Sequence, residues 1–139
     1  MLNTRGFSPK AILVCGSRDW SDGEIIKETL SSHMNPSKNI LIHGDCRGAD
    51  KLAQKASKEA NFTTDIAVPA KWNEEGKAAG PKRNARMLHL LLSLEECGYE
   101  IEAFAFHLGG KGTQNMINNL KSAKVKTTII SPTKAKSNE

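Results

Sequence analysis

The stretch Ala11-Ile12-Leu13-Val14-Cys15-Gly16-Ser17-Arg18-Asp19-Trp20 decides the fold. Five apolar residues in a row, with no polar alternation, read as a strand buried on both faces, the kind that parallel sheets use. A glycine ends the run and a helical pattern follows. Ser21 is expected to cap that helix, with Glu24 as its capping-box partner and Ile25, Ile26, Leu30 and Met34 at helical spacing, until Asn35-Pro36 stops it.

The same phrase then recurs. Ile40-Leu41-Ile42-His43 is a second apolar run, again ended by glycine, and Leu52, Ala53, Ala56 and Ala60 form a helical stripe behind it. Thr64 to Val68 reads as a weaker third strand closed by Pro69. A long loop rich in Gly, Lys and Ala leads to Gly80-Pro81, where proline suits the first position of a helix. That helix carries Met87, Leu88, Leu90, Leu91, Leu92 and Leu94, an apolar arc wide enough to predict that it is largely buried. Ile101–Phe106 is a fourth strand, Gly112 to about Ala123 a helix, and Val125–Ile130 a fifth strand. Strands alternating with helices predict a single Rossmann-like α/β domain over residues 10–131, with a mainly parallel five-stranded sheet and helices on both faces. Residues 1–9 read as a loose arm and 132–139 as a frayed basic tail.

Composition agrees with one small globular domain. The 139 residues are 38% hydrophobic and 25% charged, and a chain of this size can bury about two-thirds of its unfolded surface without a metal or disulfide. No apolar run approaches the roughly 20 residues of a membrane helix, and the N-terminus lacks the layout of a signal peptide. Three widely spaced cysteines, Cys15, Cys46 and Cys97, argue against a disulfide framework and for a reducing cytoplasm, that of the host if the chain is viral. The net charge of +5 is unevenly spread: residues 71–86 hold five Lys/Arg against two Asp/Glu, and residues 121–139 five against one. That pattern is too local for a general nucleic-acid surface.

The glycines carry the chemistry. Each of four strands runs into a glycine-bearing segment that opens a helix: Gly16 to Trp20, Gly44 to Asp50, Gly76 to Asn84 and Gly109 to Thr113. In an open parallel sheet these segments gather at the carboxyl ends of the strands, where ligands bind. Glycines let the backbone approach closely, and unpaired N–H groups at a helix start favour anions. Arg18, Arg47, Lys77, Lys82, Arg83 and Lys111 lie in or beside these loops, and Ser17 and Thr113 add hydroxyls. Phosphate is the expected guest. No segment matches the P-loop or the dinucleotide Gly-x-Gly-x-x-Gly pattern.

Four blocks in order, Val14 to Trp20, Ile42 to Asp50, Pro69 to Leu88 and Lys111 to Ile117, resemble the YspA/YpsA-related branch of the SLOG superfamily. The resemblance spans residues 11 to about 130. It implies a Rossmann-like fold specialised for nucleotides and nucleotide-derived ligands, akin to the Lonely-guy phosphoribohydrolases and the DNA-processing protein A group. It also implies that Gly16, Ser17, Arg18, the segment Gly44 to Asp50, Arg83, Asn84, Gly112 and Thr113 line the ligand pocket, and Gly110 joins them as a candidate from its glycine-bearing loop. One departure stands out. Where the Lonely-guy enzymes carry Pro-Gly-Gly-x-Gly-Thr-x-x-Glu, this chain has Leu108 for the proline and Met116 for the glutamate that serves glycosidic cleavage.

A thioether cannot do a carboxylate's work, so any hydrolysis would fall to Asp45 or Asp50. Asp50 also fits as a cap of the second helix, and Asp45 as a partner for a ribose hydroxyl. Trp20 and Trp72 flank the expected crevice, and each either stacks on a purine or pins its loop to the sheet. Arg47, Gly48 and Lys77 complete the candidate ligand set. His43 and Cys46 have one ligand-like spacing but no second pair, so no metal is expected. Cys15 reads as a core residue and His107 as a strand-end histidine.

The expected function is binding of a nucleotide-derived phosphorylated small molecule, ADP-ribose-like or a cyclic nucleotide signal, as a sensor or sequestering protein that requires no cofactor. The alternatives are hydrolysis of an N-glycosidic bond and DNA binding. A homodimer or higher oligomer is expected, with no membrane partner.

Overall fold

The computed structural model describes residues 8–36 and 38–132. Most of the expected arm and nearly all of the expected tail lie outside the described residues. The chain alternates strand and helix from end to end. β1 (Lys10–Gly16), β2 (Asn39–His43), β3 (Thr64–Ala67), β4 (Glu100–Phe106) and β5 (Thr127–Ile130) form one sheet in the order β3-β2-β1-β4-β5. Every pairing is parallel. This is the doubly wound arrangement, and its strand order reverses between β1 and β4.

The helices divide between the faces as the strand order requires. α1 (Gly23–His33) and α2 (Ala49–Glu59) cover one face, over a core of Ile12, Val14, Ile26, Leu30, Leu41, Ala53, Phe104 and Phe106. α4 (Ala79–Glu96) and α5 (Lys111–Ser122) cover the other, over Leu13, Cys15, Ile42, Met87, Leu91, Met116, Ile117 and Leu120. Odd residues of β1 face one layer and even residues the other. A strand buried on both sides must therefore be apolar throughout, which is why β1 and β2 read as unbroken runs.

Three local expectations change. α1 starts at Gly23 under Asp22, whose Oδ1 accepts from Ile25 N at 3.2 Å, so Ser21 and Glu24 do not form the cap. The cause is tertiary: the Trp20 indole packs edge-on against Phe106, with ring centroids 5.4 Å apart, and donates to Asp22 O at 3.0 Å. The expected loop before α4 contains α3 (Trp72–Glu75) and a 3-10 turn, Gly76–Ala78, so Pro81 is the third residue of α4 and not the first. Its missing N–H belongs to the first turn, where no intrahelical acceptor exists, so the helix tolerates it. Within α4, Met87 and Leu91 are fully buried, while Leu88, Leu90, Leu92 and Leu94 are only partly covered. The helix is less buried than its composition predicts.

One polar cluster sits inside the sheet at the end opposite the crevice. Lys10 and Glu102, both buried, pair at 2.7 Å, and Lys10 Nζ also donates to His33 O at 2.6 Å. The ammonium thus satisfies a carbonyl at the C-terminus of α1, where positive charge is favoured. Among the described residues, no helix is long and apolar enough to cross a membrane.

Candidate functional site

The loops after β1, β2 and β4, with the starts of α4 and α5, enclose a crevice of about 460 Å³, within the size range of small-molecule sites. It opens at the carboxyl ends of the strands, at the point where the strand order reverses.

Two glycines bring the walls together. A Cβ on Gly16 would lie 2.6 Å from both Ala49 Cβ and Phe106 O. Gly48 has φ +80°, and a Cβ there would lie 2.4 Å from the carbonyl oxygens of Ser17 and Arg18. Across this contact Ala49 N donates to Ser17 O at 3.1 Å, and Ser17 N to Phe106 O at 3.0 Å. Gly48 therefore shapes the wall from behind and does not line the crevice.

Arg83 and Asn84 fasten the opposite wall. Arg83 Nη1 donates to Gly44 O at 2.6 Å, and its Nε donates to Asn84 Oδ1 at 2.9 Å. Asn84 is buried, and its Nδ2 reaches Gly112 O at 3.2 Å and Asn115 Oδ1 at 2.9 Å. Two adjacent side chains on α4 thus hold the β2 loop and the first turn of α5 in fixed relation. At the N-terminus of α5, Gly110 offers no side-chain cap. The amides of Lys111, Gly112 and Thr113 precede the first intrahelical bond, Gln114 N to Gly110 O, and all three residues line the crevice. Such a helix end attracts anions.

Asp50 occupies the floor and is 4% exposed. It is the second residue of α2, which starts under Gly48 with no side-chain cap bond, so the expected capping role does not hold. Its Oδ2 instead reaches back to the loop, accepting from Gly44 N at 3.0 Å and Cys46 N at 3.2 Å. Its Oδ1 is buried without a hydrogen-bond partner. Burial pushes the carboxyl up to about 6, against the lowering pull of the Cys46 amide, His43, Arg83 and the Gly44 amide. Burial, helped by the nearby Asp50 charge, also raises the Cys15 thiol, which sits in the wall as a neutral group.

At the mouth, the Arg18 guanidinium lies 5.9 Å from the ring centroid of Trp72, which is 48% exposed. The two form a cationic and aromatic lip. The crevice thus brings together Gly16, Ser17, Arg18, Gly44, Asp50, Trp72, Arg83, Asn84, Gly110, Gly112 and Thr113.

Trp20, Asp45, Arg47, Gly48 and Lys77 are not in its lining. Trp20 is core, for the reason given above. Asp45, at φ +59°, pairs with Lys51, and its N–H donates to Nδ1 of the buried His43 at 3.0 Å, which leaves Nε2 of that ring to donate to Asp65 Oδ2 at 3.3 Å. Arg47 points outward to Asp19, and Lys77 is exposed on the 3-10 turn. Conversely, Cys15, Asp19, Cys46, Gly80, Pro81, Met87, Lys111 and Asn115 also line the crevice. Asn115 was findable, because it lies three residues beyond Gly112 and so shares its helix face. Among the described residues, no group of three or more His, Cys, Asp and Glu side chains is placed to hold a metal ion.

The family described as YspA, cpYpsA-related SLOG matches residues 10–74, which carry the loops after β1 and β2. The Gene 61 protein of Mycobacterium phage D29 is 32% identical, over 57% of this chain and 68% of its own length. This chain belongs to the YspA, cpYpsA-related SLOG family. DNA processing protein A from Streptococcus pneumoniae overlaps 87% of the chain at 19% identity and a TM-score of 0.43, and the chain spans 58% of that protein's length. Within this SLOG domain Met116, at the position of the Lonely-guy glutamate, is fully buried in the core under α5. It does not line the crevice.

Proposed function

We propose that this SLOG domain binds a nucleotide-derived phosphorylated small molecule in the crevice and acts as a sensor or sequestering protein, in a reducing cytoplasm. The observation that carries this reading is the uncapped first turn of α5, with three consecutive residues whose amides lack intrahelical acceptors lining a crevice that also holds Arg18 and Trp72. A phosphate belongs at the helix end, and a base at the aromatic lip. ADP-ribose-like molecules and cyclic nucleotides have both parts.

Thermal-shift measurement with NAD, ADP-ribose, cyclic ADP-ribose isomers and cyclic dinucleotides tests it. At least one ligand should stabilise the protein, and Arg18→Ala, an exposed change, should abolish that gain while leaving the free protein's Tm unchanged. Absence of stabilisation by any member, or an unaffected Arg18→Ala response, would refute the reading. Arg83 is a poor choice for this test, because its removal also strips Gly44 O of its partner.

A second reading, N-glycosidic hydrolysis, is favoured by one observation: the buried carboxyl of Asp50 lies on the crevice floor, where burial pushes it up to about 6 and suits it to give a proton. Asp45 has no part in it, being held by Lys51. Chromatography of the same mixtures separates the readings, since release of free base or ribose phosphate means turnover. Self-association is a companion proposal, resting on the partly covered leucines of α4, and light scattering tests it.

A further inference from the structure

Asp50, a residue of the crevice floor, carries one buried oxygen that the fold leaves without a partner. Asp50 spends Oδ2 on the amides of Gly44 and Cys46, and its Oδ1 has no partner. Leaving a buried carboxylate oxygen unpaired is costly and calls for an explanation; Glu75 Oε1 and Glu102 Oε2 share the feature, but only Asp50 lines the crevice. The atom therefore constrains what can complete the site.

Above about pH 6 the carboxyl is ionised and can only accept, so the missing partner there is a donor. A cation is disfavoured, because the Arg83 guanidinium lies close enough to couple electrostatically to the same carboxyl. A phosphate is excluded at this point by like charge, and it has its own place at the amides of α5 across the crevice. A neutral hydroxyl satisfies both conditions. It donates one hydrogen bond and brings no charge beside Arg83.

We infer that Asp50 is the specificity-determining residue of the crevice, accepting a hydrogen bond from a sugar hydroxyl of a ligand whose phosphate rests on the first turn of α5. The inference rests on the reading of the crevice as a nucleotide-ligand site and narrows it to ribose-bearing ligands. It also moves the hydroxyl-reading role from Asp45, which is tied to Lys51, to Asp50, which lines the crevice. The selection mechanism is a penalty: a ligand lacking the hydroxyl enters the same space but leaves Oδ1 orphaned.

Adenosine 5′-monophosphate, its 2′,3′-dideoxy analogue and inorganic phosphate are the probes, each titrated by calorimetry into the wild-type protein and into Asp50→Asn. The variant keeps an oxygen for the two loop amides and removes the charged acceptor. In the wild type, loss of the two hydroxyls should weaken binding by about 10- to 100-fold. In Asp50→Asn, whose amide can offer the hydroxyl only a neutral hydrogen bond, the discrimination should shrink to less than about tenfold, with inorganic phosphate bound as in the wild type. Equal binding of the two nucleotides to the wild type, or undiminished discrimination in Asp50→Asn, overturns the assignment and leaves the phosphate site standing. Binding of inorganic phosphate but not of the nucleotide overturns it likewise. Failure of all three probes overturns the assignment together with the nucleotide-ligand reading.

Discussion

Replacing Asp50 by Asn should make the protein less sensitive to rising pH, and the size of the effect follows from the burial of one carboxyl. Its titration moves from an ordinary 3.8 to about 6 in the folded chain, chiefly because burial penalises the charge. A difference of about two units corresponds to roughly 3 kcal/mol. Since the folded value is raised, the neutral form is the one the fold prefers. The contribution is fully present below pH 3.8 and is lost as pH rises through about 6. By about pH 8 the wild-type fold carries an ionised buried carboxylate, whereas Asn cannot ionise and still offers an oxygen to the Gly44 and Cys46 amides. The stability of Asp50→Asn minus that of the wild type should therefore grow by roughly 3 kcal/mol between about pH 4 and about pH 8. In a domain of this size that is a relative Tm change of roughly 10 °C. Urea unfolding of both proteins across the range measures it, because the other titrating groups cancel in the difference. Parallel stability curves would refute the argument, since they would mean that Asp50 titrates alike in the folded and unfolded chain.

Two further predictions follow from single contacts. Gly48→Ala should cost at least about 3 kcal/mol in a denaturant titration, because the residue needs φ +80° and its new methyl would meet two backbone oxygens. Met116→Glu, which restores the Lonely-guy pattern on paper, should destabilise the domain by several kcal/mol and yield no glycosidic cleavage by chromatography. The carboxylate would enter a fully buried core position, away from the crevice.

The strands were legible because parallel pairing imposes a strong signature. Ile40 to Ile42 must be apolar on both faces, and glycine must follow where loops crowd at the strand ends. The crevice was legible for the same reason at the level of backbone, through Gly16, Gly44 and Gly112. What local sequence could not reveal was the direction of side chains that answer to distant partners. Ser21 and Asp22 are both competent caps, and the choice falls to Asp22 because the buried Trp20 indole grips its carbonyl. Asp45 and Asp50 flank one loop and look interchangeable, yet a left-handed backbone turns the first toward Lys51. The helical backbone of α2 leaves the second facing the loop amides. α3 is only four residues long, too short for a periodic signal.

The buried pair of Lys10 and Glu102 bears on how the sheet finds its alignment. The two residues are 92 positions apart, on the two central strands that also meet at the ligand crevice. Parallel pairing over such separations is slow to form and has no turn to fix its alignment. The apolar runs of β1 and β4 would tolerate several alignments almost equally. A slip by one residue would turn Glu102 to the opposite face and leave two buried charges without partners, a loss of several kcal/mol for each ion. The ion pair thus works as a register key at one end of the sheet. By fixing β1 against β4 there, it sets where Gly16 and Phe106 fall at the far end, and so fixes the geometry of the crevice six residues away along β1 and four along β4.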